Sequence, residues 1–362
     1  MLAFFNTITR RVAILCMTTA LITIMQTNKS RADTLIKAHL HASFDIANQQ
    51  INGEMKLLIP PDTPLTLFVK HLETRSLETT PASETDQIDE TAQRIDFGVQ
   101  NYHRSLRLHF KKRISDSFYN SISEDAIVLT SGWHPVPDVP VLFSLSVDIP
   151  DDFLAISETD RIEERQAGEP VRFSFSRPQN SLNLAAAPWV KRSLKIRDNL
   201  TLHTLFFEQD DQLAQDYLES AARFIKRYEA LIGPYPYHHY VIVENLMPTG
   251  FGMPGFTLLG QQILRLPFIK TTSLGHEILH SWFGHHIGIA EDSGNWVEGL
   301  TSYLADMAYR QDAGDGTMAR KEVIQNYLNY VKEDTPPLGS FYAPGQHSIA
   351  DKDLRAVGYG RS

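Results

Sequence analysis

The chain is short of cysteine, of basic charge and of long apolar runs, and each shortage excludes something. Its 362 residues contain one cysteine, Cys16, near the N-terminus. One thiol cannot close an internal disulfide, and everything after residue 32 is without cysteine chemistry. Lysine and arginine total 34 against 43 aspartates and glutamates, a formal net charge of −9. That balance speaks against a nucleic-acid partner, which favours a basic surface. The most apolar stretch, Val12 to Met25, is about 14 residues long, short of the roughly 20 that a membrane-spanning helix needs. No internal repeat is present. What remains, 42% hydrophobic and 21% charged residues, is the composition of a globular protein long enough for two domains.

The N-terminus has the layout of an export signal. Arg10 and Arg11 precede the apolar stretch, and Ser30-Arg31-Ala32 follows it with small residues where a signal peptidase reads. Residues 1–32 are expected to be a signal peptide and the protein to be periplasmic. The alternative is an uncleaved anchor in the inner membrane, facing the periplasm, which is also the route to membrane association. Ala13-Ile14-Leu15 lacks the small residue that precedes a lipidated cysteine. Removal of Arg10, Arg11, Lys29 and Arg31 takes the charge from −9 to −13.

Residues 33–203 carry strand-like runs: Leu65–Val69, Ser105–Phe110, Val141–Val147 and Val171–Phe175. Pro60-Pro61-Asp62 and Pro135-Val136-Pro137-Asp138 punctuate them. Residues 73–93 have no period and are expected to be a mobile loop. A β-sandwich domain follows for 33–203. From 204 the character changes. Leu213, Tyr217, Ala221, Phe224, Tyr228 and Leu231 recur at helical spacing, and Gly233-Pro234 stops the helix. A short strand at Tyr240–Val243 and a Gly/Pro-rich loop, Pro248–Gly255, lead into Phe256–Leu259. Residues 204–362 therefore form a second, mainly helical domain, and the whole is α+β.

His276-Glu277-Ile278-Leu279-His280 is a His-Glu-x-x-His pattern on a plausible helix. Positions i and i+4 share a helix face, so both imidazoles can reach one metal ion, while Glu277 faces the fourth coordination position. Glu298, in Asn295-Trp296-Val297-Glu298-Gly299, supplies a third ligand. Two histidines and a glutamate around one zinc ion, with a position left open, is the donor set of hydrolytic zinc enzymes. Glu277 then takes a proton from the zinc-bound water and passes it to the leaving amine. His285-His286 are expected at the surface or in packing, His238-His239 at a strand edge, and Trp282, Phe283 and Trp296 in the core. Glu291-Asp292 suits a solvated turn.

At these residues the chain resembles the aminopeptidase N and leukotriene hydrolase family of gluzincin metallopeptidases. The carrying stretches are His276–Gly284 and Trp296–Tyr303, and Gly132-Trp133-His134-Pro135 looks like part of that family's saddle-shaped β-domain. The resemblance implies a saddle-like β-sandwich followed by a thermolysin-like zinc-peptidase domain, one zinc ion per chain and a peptide substrate. Three departures carry consequences. Seventeen residues separate His280 from Glu298, where the family usually has eighteen. The family's Gly-x-Met-Glu-Asn loop, whose glutamate binds a free amino terminus, corresponds to Gly252-Met253-Pro254-Gly255-Phe256, so Gly252, Met253 and Gly255 are substrate-binding candidates while the exopeptidase carboxylate is missing. The resemblance also implies an edge strand, continuing through Gln261–Leu264, that pairs with an extended peptide. Tyr359, in Val357–Ser362, matches the tyrosine that stabilises the oxyanion. The family continues beyond this point, so the catalytic domain is expected to be incomplete at its C-terminus, Tyr359 weakly held and hydrolysis slow. The alternatives are a non-catalytic zinc-containing scaffold of the cell envelope, or zinc-dependent hydrolysis of a non-peptide substrate.

Overall fold

Alternating burial organises the first half of the chain into sheets. In Gln50–Ile59, for example, every second side chain is buried, the pattern of a strand with one face on a core. The structure, a computed structural model, describes residues 35–81, 87–89, 93–162, 166, 168–248, 250–289 and 296–330. The expected signal segment 1–32, the turn at Glu291-Asp292 and Tyr359 lie outside the described residues. Contacts divide the chain into two units. The first holds residues up to Ser115, Leu129–Ile149 and Glu163–Asn183; the second holds Asp116–Val128, Pro150–Ile162 and everything from Leu184.

The first unit contains a six-stranded sheet in the order Val171–Ser174, Leu142–Asp148, Lys37–Asp45, Gln50–Ile59, Arg104–Arg113, Glu73–Thr80. Only the pairing of Lys37–Asp45 with Leu142–Asp148 is parallel. A smaller sheet runs Val136–Pro137, Leu65–Phe68, Arg94–Phe97, Gln87–Asp89. The strand Glu73–Thr80 corrects the expected loop at 73–93. It is an edge strand, mostly exposed, with a register shift between Thr74 and Ser76, so it had no apolar period to read.

Trp133 and His134 close the first unit's core from inside. Trp133 is fully buried and donates Nε1–H to the Leu182 carbonyl at 2.6 Å. The Leu182 N–H donates to His134 Nε2 at 3.0 Å, so His134 is neutral and gives its Nδ1–H to the Pro135 carbonyl at 2.7 Å. Burial pushes His134 down to about 4. The unfolded chain takes this proton near pH 6.5 while the folded chain refuses it, so stability falls as pH drops through that interval. The loss attributable to His134 should reach about 3 kcal/mol. Urea midpoints at pH 7 and pH 4.5 should drop more for the parent chain than for His134→Gln; equal drops would refute the assignment.

In the second unit a five-stranded sheet runs Val190–Arg197, Leu200–Phe206, His239–Asn245, Phe256–Gly260, Gly250–Met253. Its three middle strands are parallel and its outer pairings antiparallel. Successive residues serve opposite faces. Tyr240, Ile242 and Leu259 pack with Tyr217, Leu218, Ala221 and Ile225 of the helix Ala214–Leu231 and with Leu274 and Ile278 of the helix Ser273–Leu279. Val241, Val243, Phe256 and Leu258 pack instead with Val128, Ile156, Ala185 and Ala187, which come from a four-stranded sheet of Leu154–Ile156, Leu184–Ala187, Ile127–Leu129 and Asn120–Ile122. Burial of each large apolar side chain contributes about 1.5–3 kcal/mol. Residues 184–203 thus pack with the second unit although their strand character resembles the first half. His239 is a correction too. It begins a central strand with 4% exposure, not at an edge, paired with Thr201 on one side and lying beside Gly255.

The expected helix is confirmed as Ala214–Leu231, with a 3-10 turn, Glu208–Leu213, before it. Gly233 follows at φ 134°, and Trp282 Nε1–H donates to the Gly233 and Pro234 carbonyls, each at 3.2 Å, which ties the helix end to the residues after His280. Gln261–Leu264 is a helical turn, not the expected edge strand. Gln261 gives its side-chain amide to Glu244 at 3.0 Å, and Leu264 turns into the core. The sheet edge therefore belongs to Gly250–Met253.

Candidate metal centre

The helix Ser273–Leu279 is pressed against Ala214–Leu231 through Gly275. A Cβ at Gly275 would stand 2.1 Å from the Tyr309 hydroxyl and 2.7 Å from the Phe224 ring, so only glycine permits this approach. Tyr228 donates its hydroxyl to the Gly275 carbonyl at 3.1 Å. This packing fixes the helix rotation, and His276 and His280 then share its opposite face. Their Nε2 atoms are 3.2 Å apart.

Glu298 comes from the helix Trp296–Ser302, whose Val297 and Thr301 are buried. Its Oε2 stands 3.4 Å from His276 Nε2 and its Oε1 3.4 Å from His280 Nε2. The structure therefore brings the three expected ligands together, with donor atoms within 4.8 Å of one another. The other ring nitrogens settle the tautomers. His276 Nδ1 faces Asp306 Oδ2 at 3.0 Å, and His280 Nδ1 faces the Phe283 carbonyl at 3.2 Å. Both partners accept only, so both Nδ1 atoms donate, and two Nε2 lone pairs converge beside a carboxylate.

That convergence asks for a cation. Burial disfavours a charged His276, yet the Asp306 and Glu298 carboxylates beside it outweigh burial and push the imidazole up to about 10. Glu298 Oε2 is buried and accepts no hydrogen bond. Burial raises the Glu298 carboxyl, but His276 and His280 bring it below the ordinary range. Tetrahedral zinc with bonds of about 2.0–2.1 Å holds its donors roughly 3.3 Å apart. The 3.2 Å between the two Nε2 atoms matches that edge length, and each Nε2 faces one oxygen of the Glu298 carboxylate at 3.4 Å. The residues fit zinc by charge, donor type and spacing.

Asp306 was not a sequence candidate. It holds the outer nitrogen of a metal-facing histidine, the usual carboxylate support of such a ligand. Eight positions separate it from Glu298, and on an ordinary α-helix eight residues overshoot two turns. Here Tyr303–Met307 forms a π turn, and one α turn plus one π turn takes about eight residues. The wider turn brings Asp306 back to the face of Glu298.

Glu277 points toward the edge strand. Burial raises its carboxyl above the ordinary range, against the pull of His276 and His280. A Cβ at Gly252 would lie 2.7 Å from Glu277 Oε2, 3.6 Å from His285 Nε2 and 3.7 Å from His280 Cβ. Gly252 is thus at the site because nothing larger leaves room for Glu277. Gly252→Ala should displace that flexible carboxylate, lowering kcat for peptide hydrolysis about 10–100-fold while the melting temperature and zinc content hold. An unchanged kcat would show that Glu277 is not confined there.

The remaining candidates separate. Gly255, at φ 81°, lies beside His239, where a Cβ would approach Nε2 to 3.2 Å. Met253 packs against the core on the far face of the sheet. Neither is brought to the metal centre by these contacts. Loop position alone marks both residues as candidates, and strand alternation turns Met253 away from Glu277. His285 is enclosed beside Gly252, and burial pushes it down to about 4; His286 is exposed. Trp282 is buried, as expected for core.

No family model matches the chain. Over 234 residues it is 27% identical to aminopeptidase B of Mus musculus, covering 58% of this chain and 34% of that protein. Over 194 residues it is 26% identical to aminopeptidase B of Homo sapiens, covering 49% and 28%. The chain thus spans about a third of the length of the curated relatives it matches. Among solved structures, an M1 zinc metallopeptidase from Deinococcus radiodurans superposes with a TM-score of 0.66 at 17% identity, over 90% of this chain and 79% of that one. Native yeast LTA4 hydrolase gives 0.63 at 16% identity, over 90% and 58%. The chain has the fold of the M1 zinc metallopeptidases and is similar in sequence to aminopeptidase B, so the resemblance to the aminopeptidase N and leukotriene hydrolase family holds.

Proposed function

We propose that the chain is a zinc-dependent, aminopeptidase-like peptidase. The carrying observation is the triad His276, His280 and Glu298, whose donor atoms converge within 4.8 Å of one another, beside the enclosed carboxylate of Glu277. Zinc held by His276, His280 and Glu298 would supply a Lewis acid and bring the pKa of water to about 7. Glu277 accepts the proton of the attacking water at Oε2 and delivers it to the departing amine. Asp306 holds His276 in the tautomer that presents Nε2. Tyr359 is the proposed oxyanion donor on the family resemblance alone. A peptide is taken in extended form along the outer side of Gly250–Met253, the mode in which sheet edges capture chains.

The substrate class is supported from outside the chain. One M1 zinc metallopeptidase structure from Deinococcus radiodurans holds a Tyr-ser-ala substrate, and a two-domain M1 zinc metallopeptidase structure holds L-arginine. A non-catalytic scaffold would leave the space that Gly252 reserves for Glu277 without a purpose. The layout of residues 1–32 supports a periplasmic location. The edge strand lacks the family's amine-binding glutamate, so we expect hydrolysis of both free and N-acetylated peptides. Incubating the full chain with paired free and N-acetyl peptides should release fragments from both. A chelator should abolish release and added zinc restore it. No chelator-sensitive cleavage of either kind would refute the proposal.

A further inference from the structure

Three aromatic rings meet on the edge strand, on the side away from the metal. Phe118 and Tyr119 are 42% and 43% exposed. The Phe118 ring meets Phe251 edge-on at 5.5 Å, Tyr119 stacks on Phe251 at 6.1 Å, and Phe118 and Tyr119 meet edge-on at 5.5 Å. Phe251 immediately precedes Gly252 in Gly250–Met253. Strand alternation therefore puts its ring on the face opposite Glu277, where it packs with Met253 against the core under the small sheet. Phe118 and Tyr119 lead into Asn120–Ile122, an outer strand of that small sheet, and so border the same face. Nothing in the hydrolytic chemistry uses these rings.

Gly250–Met253 is the outermost strand of its sheet among the described residues. A peptide paired along it repeats the sheet's alternation. The peptide residue that shares the Gly252 face lies over Glu277, and its neighbours point to the aromatic face. We propose that Phe118, Tyr119 and Phe251 form a specificity subsite for one bulky apolar side chain of the peptide, adjacent to the residue lying over Glu277. The inference rests on the hydrolase reading. Two exposed rings contribute a large apolar surface with few rotatable bonds to freeze, which is how aromatic side chains discriminate partners economically. Phe251 is anchored by its own packing and sets the depth; Phe118 and Tyr119 form the rim.

The test uses penta-alanine and five pentapeptides in which a single phenylalanine replaces each alanine in turn. Affinities are measured by calorimetry on the zinc-loaded full chain carrying Glu277→Gln, and kcat/KM on the otherwise unaltered chain. One phenylalanine position should bind about tenfold more tightly than penta-alanine. Adding Phe118→Ser with Tyr119→Ser should erase that gain and leave penta-alanine affinity unchanged, whereas Phe118→Leu with Tyr119→Leu should keep most of it. Both side chains are exposed, and melting temperature and zinc content check the fold. If the serine pair unfolds, each single serine variant should lose part of the gain. A gain that survives both serines, or no gain at any position, overturns the inference. Chelator-sensitive cleavage with the gain unaffected would sink the subsite and spare the hydrolase. A gain erased by serine, with no peptide ever cut, would sink the hydrolase and spare the subsite.

Discussion

Replacing Glu277 with glutamine should lower kcat for peptide hydrolysis by about 10²–10⁴-fold, the contribution of a positioned proton-transfer group. Glutamine keeps the shape and fills the space beside Gly252, but it has no carboxylate to take a proton. Glu277 is not one of the three converging donors, so zinc content should stay at one per chain. Peptide affinity should also change little, because Glu277 acts on the water and the departing amine. The measurement is a steady-state comparison on one unblocked peptide, with metal analysis of both proteins. A variant as fast as the parent would remove Glu277 from the chemistry. A variant that loses its zinc would make it a ligand.

The second large effect is expected from Glu298→Ala. The two imidazole Nε2 atoms, 3.2 Å apart, would lose the Glu298 carboxylate that stands beside both. Free energies for protein zinc sites are about 10–16 kcal/mol. One donor of three then represents about 3–5 kcal/mol, or roughly 10²–10⁴-fold in affinity. Dialysis against a weak chelator should leave the parent with zinc and strip the variant. Hydrolysis should vanish with the metal, and excess zinc should restore only part of it. The residue is informative because its spacing from His280 departs from the family habit by one. Retention of zinc by Glu298→Ala would mean that another carboxylate is the third ligand.

The metal centre was legible because its signal is local. His276 and His280 need only one turn of helix, and Glu298 begins the next helix after a loop whose length does not affect its chemistry. The long helix was legible because Tyr217, Ala221 and Tyr228 keep a steady period. What escaped was set by neighbours distant in sequence. Glu73–Thr80 pairs at the rim of a sheet, so neither face imposed an apolar pattern. Gln261–Leu264 looks extended until Glu244 captures the Gln261 amide. His239 reads as polar decoration, but it opens a central strand, paired with Thr201 and buried beside Gly255. Met253 and Gly252 are adjacent letters, and only the strand's alternation decides which of them meets Glu277.

The π turn at Tyr303–Met307 carries a lesson about spacing rules. A search for supporting carboxylates that assumes uniform winding samples the wrong stripe of the helix beyond Glu298 and passes over Asp306. The local unwinding also ties ligand orientation to chain length. Rewinding Tyr303–Met307 as ordinary α-helix at unchanged length would swing Asp306 about 80° off the metal-facing stripe and leave His276 without its anchor, though no ligand had been altered; deleting Leu304 as well would set the aspartate seven positions after Glu298, about two α turns, and bring it back. In this helix the winding itself acts on the metal site as a point substitution would, through rotation alone.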